Sequence, residues 1–129
     1  MTANVKSAKV LIAEDSEILN NMMKDFFEEN GFDVVQAFDG LECKSVFLRE
    51  LPDVAFLDVQ MPKLSGLEAL RFIKEKAPKT IVVIMPAGGN DQTAAQAMKY
   101  RADEYLNKPF SMRDILQLTH NLGDNRHVN

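Results

Sequence analysis

Runs of apolar residues too short for helices alternate along this chain with longer stretches in which apolar positions recur every three or four residues. The short runs cover residues 9–13, 32–38, 54–58, 80–85 and 104–107 and predict five strands; the run 80–85, β-branched and unbroken, is the clearest. The first periodic stretch holds Ile18, Leu19, Met22, Met23, Phe26 and Phe27, behind Ser16 as N-cap and ahead of Asn30-Gly31 as terminator, and predicts a helix whose apolar stripe is all core. Asp39-Gly40 opens a second helix through Cys43 and Phe47 that ends before Pro52. Ser65-Gly66 precedes a third, with Leu67, Leu70 and Ile73, which Pro78 closes. Asn90 or Asp91 caps a fourth through Ala94, Ala97 and Met98. Ser111 caps a fifth with Met112, Ile115, Leu116, Thr119 and Leu122 on one face, ending at Gly123.

Strands that alternate with helices leave room for a crossover after each strand, which predicts an α/β fold with a parallel sheet and helices on both faces. Right-handed crossovers restrict it to a doubly wound sheet, with a ligand crevice outside the strand carboxyl ends where the winding reverses. In the flavodoxin-like order 2-1-3-4-5, strands one and three are neighbours at that reversal. Glu14 and Asp15, which end the first run, then meet Asp58, which ends the third, and the exits of strands four and five bring Pro86 and Lys108 beside them. The expected organisation is one domain over residues 8–122, with a polar extension at 1–7 and a polar tail at 123–129.

Composition narrows the function. Hydrophobic content of 46% and charged content of 26% suit a soluble globular domain, and a net charge of −4 argues against a direct nucleic-acid surface. No apolar run approaches the roughly 20 residues that span a bilayer, and residues 1–9 lack the apolar centre of a signal peptide, so a cytoplasmic location without membrane contact is expected. Cys43, the single cysteine, excludes a disulfide framework and a multi-cysteine metal site, and reads as a small core residue. His120 and His127 fall in or after the last helix, away from the crevice. The methionines read as core filler apart from Met1 and an exposed Met61.

Three carboxylates in one crevice repel each other unless a cation is present. A hard divalent ion suits them, and Mg2+ suits best, because it is commonly held by one or two carboxylates with waters and a phosphate oxygen as its other ligands. Lys108 adds a positive charge that pairs with Asp58 at rest and with a phosphoryl oxygen later. The set describes an aspartate that can be phosphorylated: a carboxylate nucleophile, a metal site and a cationic donor.

The segments Val10-Leu11-Ile12-Ala13-Glu14-Asp15, Leu57-Asp58-Val59-Gln60-Met61-Pro62 with Gly66, and Lys108-Pro109-Phe110 together resemble the three signatures of the CheY-like response-regulator receiver domain of two-component signalling, over roughly residues 8–122. The resemblance implies Asp15 as a direct magnesium ligand, Glu14 as a direct or water-mediated one, and the Gln60 backbone carbonyl as another. It implies that Asp58 accepts a phosphoryl group from a histidine kinase or phosphotransfer protein and touches the metal, that Lys108 contacts the phosphoryl group, and that the peptide bond before Pro109 is cis. Dephosphorylation would be intrinsic, without making the chain an enzyme in its own right. Its output partner, not identifiable from the sequence, would read the surface of helix four, strand five and helix five.

Two positions depart from that pattern. Where the family usually ends strand four in Ser or Thr, this chain has Pro86, with neither hydroxyl nor amide hydrogen, although Ala87 keeps an amide and the aromatic switch partner Tyr105 is present. Where the family commonly has Gly-Ala after the fourth helix, this chain has Arg101-Ala102, so Arg101 is expected to carry any positive φ required there. Pro86 supports an alternative, a degenerate receiver that binds its partner without phosphorylation. A magnesium phosphohydrolase is a weaker third reading, because no second catalytic acid or substrate pocket is evident.

Overall fold

The computed structural model describes residues 8–87 and 91–128. The expected 1–7 extension, Gly88, Gly89 and the candidate cap Asn90 lie outside the described residues. Ten elements follow in strict alternation: β1 (Lys9–Ala13), α1 (Glu17–Glu29), β2 (Asp33–Ala37), α2 (Gly40–Glu50), β3 (Val54–Asp58), α3 (Gly66–Lys76), β4 (Ile81–Met85), α4 (Asp91–Lys99), β5 (Glu104–Tyr105) and α5 (Met112–Val128). The sheet is parallel throughout, in the order β2-β1-β3-β4-β5. This is the flavodoxin-like doubly wound fold that the alternation predicts.

Successive strand residues face opposite sides, so the apolar runs serve two cores at once. Leu11, Ala13, Leu57, Val82 and Ile84 pack with Phe47 of α2, Leu70 and Ile73 of α3 and Ala97 of α4. On the other side Val10, Ile12, Phe56, Val83 and Met85 pack with Met23 and Phe27 of α1 and Ile115 and Leu118 of α5. Side-chain caps start α1, α2 and α3 where the sequence places them: Ser16 Oγ accepts from the Leu19 amide, Asp39 Oδ1 from the Glu42 amide, and Ser65 and Glu68 form a reciprocal capping box. No helix among the described residues is long and apolar enough to cross a membrane.

Several expectations need correction. On α1, Ile18 (77% exposed) and Met22 (51%) face solvent, because a helix lying on a sheet buries only one narrow stripe, here Asn20, Met23 and Phe27. Met98 (68% exposed) on α4 and Leu116 on α5 also lie outside the core, whereas Met61 is buried against it because the loop after β3 folds back over the α2–α3 side. Gly123 does not end α5, which continues to Val128; an interior glycine costs a helix only about 1 kcal/mol and is no obligatory stop. Arg101 does adopt the left-handed conformation, with φ of 70°, and the Lys108–Pro109 bond is cis.

Candidate functional site

The crevice is built by strand register. Ala13 lies beside Leu57 and Asp58 beside Met85, so β1, β3 and β4 end nearly level, and the residues just past their ends share one space. Glu14, Asp15 and Asp58 each offer a carboxylate oxygen within 4.8 Å of the others. Glu14 and Asp58 are buried, whereas Asp15 is exposed at the mouth.

Lys108 closes the arrangement. Its Nζ lies 2.7 Å from Glu14 Oε1 and donates to Asp58 Oδ1 at 3.1 Å. Its backbone amide donates to the Pro86 carbonyl at 2.8 Å, which ties the exit of β5 to that of β4. The Ser16 amide donates to Glu14 Oε2 at 3.1 Å, and the Gln60 amide approaches Asp58 Oδ1 at 3.4 Å. Gly66 is required beside this strand end: a Cβ there would collide with the Asp58 carbonyl oxygen, and its amide bonds Val59.

The electrostatics are those of an overcrowded acid. Burial raises the Asp58 pKa, the Glu14 charge raises it further, and Lys108 only partly opposes them, leaving Asp58 pushed up to about 7. Burial works against the Lys108 charge, yet the Glu14 carboxylate and the Asp58 charge outweigh it and hold that ammonium above its ordinary value. Glu14 Oε1 is fully buried and, despite the nearby ammonium, makes no aligned hydrogen bond. Spare acceptor capacity on a buried carboxylate, in a set of three hard oxygen donors, fits a divalent cation of the magnesium type.

The sequence-predicted residues Glu14, Asp15, Asp58 and Lys108 are thus brought together, and the Gln60 backbone borders them while its side chain points to solvent. Pro86 is buried at the rim and Ala87 exposed beside it. Tyr105 is half-buried on the α4 side, its hydroxyl donating to the Ala94 carbonyl at 3.3 Å. Cys43 is sealed in the core, where burial lifts its thiol to about 12. Sequence reasoning missed Asn20, which is completely buried beneath the acidic pair. Its signal was present: counting back from the core positions Phe27 and Met23 in helical steps lands on residue 20.

Comparison with known proteins decides the family. The sequence profile of the response regulator receiver domain matches residues 10–120. The chain belongs to the response-regulator receiver family. It is 34% identical over 110 residues to the chemotaxis protein CheY of Listeria monocytogenes, covering 84% of this chain and 92% of that protein. It is 33% identical over 105 residues to the transcriptional regulatory protein YcbL of Bacillus subtilis, covering 81% of this chain but 46% of YcbL. The receiver domain of Francisella response regulator 1452 superposes with a TM-score of 0.84 at 32% identity, over 93% of this chain and 99% of that one. The chain spans about half the length of regulators such as YcbL and nearly all of CheY. Receivers of this family serve two-component signalling, so the five-stranded fold and the acidic crevice belong to a signalling domain.

Proposed function

We propose that this receiver takes a phosphoryl group onto Asp58 and signals by doing so. The observation that carries the reading is the buried Asp58 carboxylate, with two further carboxylates within 4.8 Å and the Lys108 ammonium at 3.1 Å. Asp58 attacks phosphorus, forming an acyl-phosphate oxygen–phosphorus bond as the donor's bond to phosphorus breaks. With phosphohistidine the bond broken is phosphorus–nitrogen and the imidazole leaves; with acetyl phosphate it is phosphorus–oxygen and acetate leaves. Lys108 turns from Asp58 toward the phosphoryl oxygens and stabilises their charge. Asp15, Glu14, Asp58 and the Gln60 carbonyl would hold Mg2+, which when bound neutralises charge on the transferring group. Ala87, exposed beside the crevice, offers its amide to the same oxygens.

The donor in this reading is a histidine kinase or phosphotransfer protein of the cytoplasm, and the output partner reads the face formed by α4, β5 and α5. Pro86 bears on that output. It is buried where a hydroxyl could otherwise follow the phosphoryl group, and it has none to offer, so phosphorylation is retained while the signal to Tyr105 is weakened. That same absence favours the second reading, an interaction module that works without phosphate. Incubation with acetyl phosphate and magnesium, followed by intact mass, separates them. A single phosphoryl gain in the parent that disappears in Asp58→Asn supports the receiver, and an unmodified parent supports the module.

A further inference from the structure

Among the buried polar side chains, Lys74 and Thr80 belong to the opposite end of the sheet, where the Lys74 ammonium bonds the Thr80 carbonyl and pairs with Asp103. Asn20 lies at the site's end and is fully buried. Its Nδ2 donates at 3.0 Å to the Glu14 carbonyl and at 3.0 Å to the Ala37 carbonyl, and lies 3.4 Å from the Ile12 carbonyl. An amide nitrogen has two hydrogens, so the two shorter bonds use both.

Those bonds fall where the β-ladder runs out. The last rung between β1 and β2 is the Glu14 amide on the Ala37 carbonyl, at 3.1 Å. Beyond it the Glu14 carbonyl has no further rung to pair with, and an unpaired buried carbonyl is costly. Asn20 supplies the missing donor. The Glu14 peptide is thereby held on both sides, through its amide by Ala37 and through its carbonyl by Asn20, and the backbone so fixed carries both Glu14 and Asp15. The amide is itself oriented, because Asn20 Oδ1 accepts from Gln36 Nε2 at 2.8 Å.

We infer that Asn20 is the positioning residue of the acidic pair: it holds the β1 exit so that the Glu14 and Asp15 oxygens converge with Asp58 on a divalent cation. This rests on the magnesium site proposed above. A group that orients metal ligands from behind contributes about ten- to a hundredfold to metal affinity, and a group that merely stabilises the fold contributes nothing specific to it.

The test is magnesium titration of the unphosphorylated protein by calorimetry, in the parent, Asn20→Ala, Gln36→Leu, and Ile73→Val as a core variant on the far side of the sheet. Asn20→Ala is expected to weaken magnesium at least about tenfold, while Ile73→Val changes it less than twofold despite its own loss of stability. Unchanged magnesium affinity in folded Asn20→Ala overturns the assignment. Should Asn20→Ala fail to fold, Gln36→Leu decides: a several-fold weaker magnesium affinity supports positioning through the oriented amide, and an unchanged one overturns it. Asp15→Asn separates the two layers of the argument. A parent that binds no magnesium, or binds it as well with Asp15→Asn, overturns the site itself and this inference with it, whereas an effect at Asp15 without one at Asn20 overturns this inference alone.

Discussion

Asp58 and Lys108 form an ion pair at the centre of the candidate site, and the role proposed for each can be tested by what its charge does. Lys108 donates to Asp58 at 3.1 Å, and a hydrogen bond to a charged group contributes about 1.5–3 kcal/mol. Lys108→Ala is therefore expected to fold normally and to take phosphate from acetyl phosphate about ten- to a hundredfold more slowly, as followed by intact mass over time. The raised pKa of Asp58 gives a second expectation. A carboxyl whose folded pKa lies above its unfolded one, about 7 against the ordinary 3.8, favours the folded state while protonated, and that contribution is lost as pH rises through the folded value. Metal-free protein should therefore lose thermal stability between about pH 4 and pH 7, and Asp58→Asn should lose less over the same window. Magnesium should reverse the order, raising the melting temperature of the parent more at pH 8 than at pH 6, because it binds the ionised carboxylate. Melting curves of both proteins, with and without magnesium, check the sign.

At the scale of elements, the residue that follows β4 departs from the pattern that the chain's resemblance to the family implies. Pro86, immediately after β4, has no hydroxyl, and the Tyr105 hydroxyl of β5 donates to the Ala94 carbonyl on α4. A two-state element responds only to a contact that differs between its states, and in the function proposed above Pro86 has no hydroxyl with which to make one to phosphate. Pro86→Thr should therefore enlarge the shift of the Tyr105 ring resonances when a phosphoryl mimic such as beryllofluoride is added. A full response in the parent, unchanged by the substitution, would show that Pro86 does not limit the switch. The clustering of the candidate residues is legible because each of these charges stops an apolar run: Glu14 after Ala13, Asp58 after Leu57, Lys108 after the short fifth strand. Topology then did the rest, since the order of the strands decides which ends meet. Asn20 is less plainly legible: it falls in phase with Met23 and Phe27, but a polar side chain on a helix ordinarily marks the wet side. The stripe that α1 buries is narrower than its apolar periodicity predicts, and the phase set by Met23 and Phe27 turns Ile18 and Met22 outward and Asn20 in. Met61 is buried and not exposed, because its place depends on where the loop after Asp58 folds, which no periodicity encodes.

The molecule as a whole is a scaffold that makes a buried carboxylate expensive to ionise at the carboxyl end of its sheet. Two apolar layers fix the strands, the strands fix the level of their ends, and the ends gather three acids and one ammonium. Everything proposed for signalling depends on phosphate reaching Asp58 and no other acid in that crevice. The direct measurement is site mapping: treat the protein with acetyl phosphate and magnesium, trap the acyl phosphate with borohydride, which converts the modified aspartate to homoserine, and read the position by tandem mass spectrometry. The expected result is homoserine at position 58, dependent on magnesium. Homoserine at position 15, or no conversion at saturating magnesium, would contradict the account.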